Sequence, residues 1–78
     1  MMNFFEFSGI IKEKRMMLKM TQKEASKELL INYKRYNKIE NGIIEPSFIE
    51  LIMICEFLDI DIMKEVKKKE VFNRPLYD

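Results

Sequence analysis

Residues 21–42, TQKEASKELLINYKRYNKIENG, hold two helical patterns with almost nothing between them. The first runs from Gln22 to Leu29, Asn32 is suited to cap the second, and only Leu30 and Ile31 remain to turn the chain. So short a connection makes the two helices cross sharply and bury Leu29, Ile31, Tyr36 and Ile39 among themselves and their neighbours. The spacing predicts a helix-turn-helix, and the remaining elements must arrange themselves around it.

Capping signals place those elements. Asn3 with Glu6, Thr21 with Glu24 and Ser47 with Glu50 each put a short polar side chain three residues before an acid, the capping-box pattern. Asn32 and Asp61 are further N-cap residues, and Gly42 suits a helix end that needs positive φ. Five helices follow, over 4–18, 22–29, 33–41, 48–58 and 62 to about 69. The expected fold class is all-α, a compact five-helix bundle forming one domain over residues 1–78, with the tail 70–78 extended or part of a dimer interface. Two glycines, two prolines and 47% apolar residues agree with a helical globule, and 78 residues leave no room for a separate catalytic domain.

Absent residue types narrow the chemistry. The chain has no histidine and one cysteine, Cys55, so an internal disulfide, a histidine-containing zinc site and a Ser/His or Cys/His pair are excluded. Without an acidic dyad in a pocket-forming context or a glycine-rich phosphate loop, an enzyme is the least favoured class, and no cofactor or metal is expected. Cys55 and the seven methionines are read as packing. No apolar run approaches the roughly 20 residues of a membrane span, and MMNFFEF lacks a signal peptide's basic stretch, so a cytoplasmic location is expected.

A net charge of +1 hides a strong asymmetry. Residues 1–38 carry nine bases and four acids, residues 39–63 carry six acids and no base, and residues 64–78 carry five bases and three acids. Such a dipole can hold a positive end against phosphates while the acidic end faces away. Solvation of helix faces accounts for many of these charges equally well.

On a helical wheel Tyr36 and Ile39 point inward, while Lys34, Asn37, Lys38 and Asn41 point outward, with Tyr33 beside them and Arg35 at the margin. That face has amides, cations and an aromatic but no acid. Lysine can donate to guanine O6 and N7, asparagine can pair with adenine N6 and N7, and tyrosine can bond a phosphate or touch a thymine methyl. From residue types alone a plain solvated face remains an equal reading.

Residues 7–62 resemble the lambda-repressor-like helix-turn-helix family, which includes the Cro and CI repressors and is often called the Xre family. Thr21-Gln22 is similar to that family's opening of helix 2, Ile39-Glu40-Asn41-Gly42 to its ending of helix 3, and Pro46-Ser47 with Leu51, Ile54, Leu58 and Ile60 to its fourth helix. The resemblance runs without a gap over about three quarters of the chain. It implies base contacts from Asn32, Tyr33, Lys34, Asn37 and Lys38. It implies phosphate contacts from Gln22, aided by amides at the helix start, with Thr21, Lys23, Arg35 and Asn41. Arg15 and Glu40 fall where the family often places a structural ion pair.

Several positions depart from the pattern. Leu30 stands where the family usually has glycine, which costs roughly 1–2 kcal/mol or forces another turn geometry. Ala25-Ser26 replaces leucine-alanine and Tyr36 replaces isoleucine, so Tyr36 with Met16 or Met17 is expected to fill the space left by Ala25. Ile43-Ile44-Glu45 replaces a basic or polar loop, which argues against phosphate contacts there and, where the isoleucines are exposed, offers them to a protein. In the fourth helix Leu51, Ile54, Cys55 and Leu58 face inward, leaving Ile52, Met53 and Phe57.

The favoured reading is a sequence-specific transcriptional regulator of double-stranded DNA. It would be a small dimeric repressor of phage, mobile-element or restriction-modification controller type, with residues 33–41 in the major groove of an inverted-repeat operator. Met53, Phe57, Val71 and Phe72 would form the homodimer interface, and no small-molecule effector is expected. The alternative is a protein-interaction module or antitoxin that holds a protein on the apolar fourth helix and tail.

Overall fold

The computed structural model describes the backbone of residues 2–73 and the side chains of residues 2–68. Its described residues form five α-helices: α1 (Phe4–Met17), α2 (Gln22–Leu29), α3 (Tyr33–Glu40), α4 (Phe48–Phe57) and α5 (Ile62–Asn73). Each starts where a short polar side chain can satisfy amides that have no partner within the helix. Thr21 Oγ accepts from the Glu24 amide at 3.0 Å while Glu24 Oε1 accepts from the Thr21 amide at 2.9 Å. Ser47 and Glu50 repeat the exchange at 3.2 and 2.8 Å. Asn3, Asn32 and Asp61 accept from the amides of Glu6, Lys34 and Lys64.

Helix ends follow a common device. The residue that reverses the chain after α1 is Lys19, after α2 Leu30, after α3 Gly42 and after α4 Asp59, all with φ between 54° and 74°. Glycine is required at only one of these. A β-carbon on Gly42 would sit 2.8 Å from the Phe5 ring and 3.1 Å from Ser8 Oγ, so α1 lies directly against the end of α3. Leu30 adopts φ 58°, ψ 33°, keeping the left-handed turn despite its side chain, and the Ile31 amide donates across it to Ser26 O at 3.0 Å. The leucine is 89% exposed and recovers no packing for the strain.

Helices α1, α3 and α4 each stop one residue before the expected end, at the cap residues Leu18, Asn41 and Leu58. Helix α5 runs on to Asn73, so residues 70–73 are helical where an extended tail was one expectation. Residues 74–78 lie outside the described residues.

Tyr36, Ile11, Ile39 and Ile54 are completely buried, joined by Phe7, Ala25, Leu29, Ile31, Leu58 and Ile60. The interior therefore draws on α1 to α4 and the segment after α4. Tyr36 shares this core with Ala25, but Met16 and Met17 do not, being 57% and 67% exposed. The reason is helical phase: α1 turns Phe7, Ile11 and Arg15 inward, which rotates the next two residues into solvent. On α4, Ile54 and Leu58 are buried and Leu51, Cys55 and Phe57 pack partly against the core, so Phe57 is less available than expected. Phe48, Ile49, Ile52 and Met53 remain exposed on its other face. Ile44 packs on the core and Ile43 faces solvent.

Replacing Leu30 by glycine removes the left-handed penalty of roughly 1–2 kcal/mol but adds unfolded-chain entropy that offsets part of it. Leu30→Gly is expected to raise unfolding stability by about 0.5–1 kcal/mol, and Leu30→Val to lower it. Urea denaturation midpoints at constant slope measure both.

Candidate nucleic-acid interface

The exposed side of α3 is built by its own burial pattern. Tyr36, Ile39 and Glu40 face inward, which leaves Tyr33, Lys34 and Lys38 exposed and Asn37 half-buried, with Asn32 exposed at the cap. The one acid of the helix, Glu40, has a side chain with 0% exposure. No carboxylate of α3 therefore reaches the surface that Lys34 and Lys38 occupy.

Glu40 is held by two neighbouring elements. From α1, Arg15 donates Nε to Oε2 at 2.9 Å and Nη2 to Oε1 at 2.7 Å, and its Nη1 donates to Met20 O. From the start of α2, Gln22 Nε2 donates to Oε1 at 3.0 Å. Gln22 Oε1 accepts from Asn37 Nδ2 at 2.7 Å, and Asn37 Oδ1 accepts from Asn41 Nδ2 at 3.3 Å. Burial alone would push the Glu40 carboxyl up, but hydrogen bonds from Arg15 and Gln22 reverse that and hold it below the ordinary value. Its hydrogen bonds to Glu40 raise the Arg15 guanidinium. Burial pushes the Tyr36 phenol well up, reinforced by the neighbouring Glu40 charge, with which its hydroxyl makes no hydrogen bond of standard geometry.

A second clamp joins α3 to α4. Arg35 Nε and Nη2 donate to the two oxygens of Glu50, each at 2.7 Å. Together with the Ser47 amide, these bonds hold the Glu50 carboxyl down at about 2. Arg35, expected from the sequence to meet phosphate, is thus paired within the protein. Glu50 was legible only as a cap, and nothing local announces a partner 15 residues away.

The other candidate residues are placed as follows. Thr21, Lys23 and Asn41 are exposed near the α2 start and the α3 end, with the Thr21 hydroxyl engaged by the Glu24 amide. Gln22 and Asn37 are brought together, and each is already bonded inside the protein. Met53 is exposed and Phe57 half-buried on α4, beside Glu28 and Leu29 of α2. The side chains of Val71 and Phe72 lie outside the described residues. Among the described residues, no helix is long and apolar enough to cross a membrane. A family model described as helix-turn-helix matches residues 11–64 of the chain. No curated protein and no solved structure matches it.

Loss of one partner leaves a buried charge alone, so Arg15→Ala is expected to cost about 3–5 kcal/mol, enough to unfold much of the population in a urea titration. Glu50 titrates lower when folded, near 2, than when unfolded, near the usual ~4.3. Its contribution is complete above the unfolded value and disappears as pH falls from about 5 to about 2. The stability difference between the native chain and Glu50→Gln should therefore shrink over that interval and stay constant from pH 6 to 8, as measured by denaturation at each pH.

Proposed function

Because the chain belongs to the lambda-repressor-like, Cro/CI-type helix-turn-helix family of DNA-binding transcription regulators, we propose that it is a sequence-specific regulator that seats α3 in the major groove. The observation that carries this reading is the distribution of charge on α3: the lysines are exposed, and the single acid is buried and neutralised by Arg15. Tyr33, Lys34 and Lys38 would meet base edges, with Asn32 and Asn37 beside them. Gln22, Thr21, Lys23 and Asn41 would meet backbone phosphate. Arg35 would act mainly by fixing α3 against α4 through Glu50.

One reading helix contacts few base pairs, so the regulator is expected to act as a homodimer on an inverted repeat with half-sites about 10 bp apart. Met53 and Phe57 would lie in the dimer contact with Val71 and Phe72, supported by the neighbouring exposed Ile49 and Ile52. A small repressor of phage, mobile-element or restriction-modification controller type fits these features. The exposed apolar side of α4 favours a second reading, a module that holds a protein partner.

A double change, Lys34→Ala with Lys38→Ala, separates the two. For a DNA reader, specific binding to the DNA upstream of its own gene should fall at least a hundredfold with an unchanged circular dichroism spectrum. Native affinity should drop steeply between 50 and 200 mM salt. Equal binding by both proteins would overturn the reading of α3 as the groove helix, and no binding by either would favour the protein-partner reading.

A further inference from the structure

We propose that the reading face of α3 is a hydrogen-bond donor face, matched to base edges that accept, because the amide oxygens of Asn32, Gln22 and Asn37 are engaged within the protein. The inference rests on the DNA-binding reading and specifies the bases it takes. Pairing of an asparagine or glutamine with adenine requires the amide to donate to N7 and accept from the N6 amine at once. That needs the amide's oxygen and nitrogen to turn toward the base together.

Asn32 Oδ1 accepts from the backbone amides of Lys34 and Arg35, at 2.9 and 3.3 Å, so both of its lone pairs are occupied. Gln22 and Asn37 are oriented from the interior. An ionised carboxylate can only accept, so Glu40 fixes which end of Gln22 faces it, and the amide nitrogen must point inward. The oxygen of Gln22 is then left for Asn37 Nδ2, and Asn37 Oδ1 for Asn41 Nδ2. Every bond in this series donates toward Glu40. Asn37 cannot turn out to an adenine without breaking its 2.7 Å bond to Gln22. Glu40 and Gln22 are in this sense positioning residues for the reading face, in addition to any role of Gln22 at phosphate.

What the surface retains is the ammonium groups of Lys34 and Lys38, the unused amide hydrogens, and the Tyr33 hydroxyl, which can donate or accept. Guanine O6 and N7, adenine N7 and thymine O4 are the complementary atoms, and guanine alone presents two of them side by side. Lys34 and Lys38 stand one helical turn apart, about 5–6 Å between β-carbons, which fits acceptors one or two base steps apart at about 3.4 Å per step. The half-site is therefore guanine-centred, and the amines of adenine and cytosine go unread by Asn32 and Asn37.

Sites selected by the full chain from a random duplex pool, then remade with single-base analogues, test this. Replacing a contacted guanine by 7-deazaguanine should weaken binding at least fivefold. Replacing any adenine by unsubstituted purine, which deletes only the N6 amine, should change it less than twofold. In the free protein, one side-chain amide proton each of Gln22 and Asn37 should exchange at least tenfold slower than those of Asn3, and Gln22→Ala should abolish the slowing at Asn37. A fivefold loss with purine that disappears in Asn37→Ala or Asn32→Ala, or fast exchange at both amides, would overturn the donor-face proposal while leaving DNA reading intact. A pool with no enriched sequence would overturn the DNA-binding reading and the donor face with it.

Discussion

A guanidinium and a carboxylate buried together at the junction of α1, α2 and α3 are what the rest of this structure hangs on. Arg15 and Glu40 are 25 residues apart, and each would be expensive to bury alone. Their two-point geometry, with Met20 O and Gln22 completing the set, satisfies most of the donors and acceptors that burial strips of water. Such a pair adds little net stability over an apolar alternative, but it tolerates little misplacement, because an unpaired buried charge is costly. It therefore acts as a registration device, setting the end of α3 against the last turn of α1 and the start of α2.

The same carboxylate connects architecture to function. By removing the one acid of α3 from the surface it leaves the outward face cationic, and by accepting from Gln22 it sets the orientation of the amides beyond. A second clamp, Arg35 with Glu50, ties α3 to the capped start of α4 on its other flank. Helix α3 is thus only two turns long but is gripped at both edges, which a two-turn helix requires, since it has little stability of its own. Strain is tolerated nearby: Leu30 keeps the turn left-handed at an exposed position where glycine would cost less.

Much of the fold was legible because its signals are local. Capping residues such as Thr21 and Ser47 fix helix starts through contacts three residues away, and the apolar spacing that buries Leu29, Ile31, Tyr36 and Ile39 needs only helical periodicity. Helix ends were less legible, by one residue at α1, α3 and α4, since Leu18, Asn41 and Leu58 carry no strong stop signal. The expected packing role of Met16 or Met17 failed because phase along α1 is decided by which neighbours receive Phe7, Ile11 and Arg15.

The amino-acid sequence by itself determined the helix-turn-helix, the five helices and the identity of the exposed face of α3, because each depends on periodicity, caps and turn length within a few residues. Membership of the lambda-repressor-like family follows from the same ordered residues over 11–64. Only the tertiary structure decided what those surface side chains are free to do. Arg35 is spent on Glu50, the oxygen of Gln22 accepts from Asn37, and the oxygen of Asn37 accepts from Asn41. Hydrogen bonds between residues 15 or 18 positions apart depend on how helices cross, and no local pattern encodes that crossing.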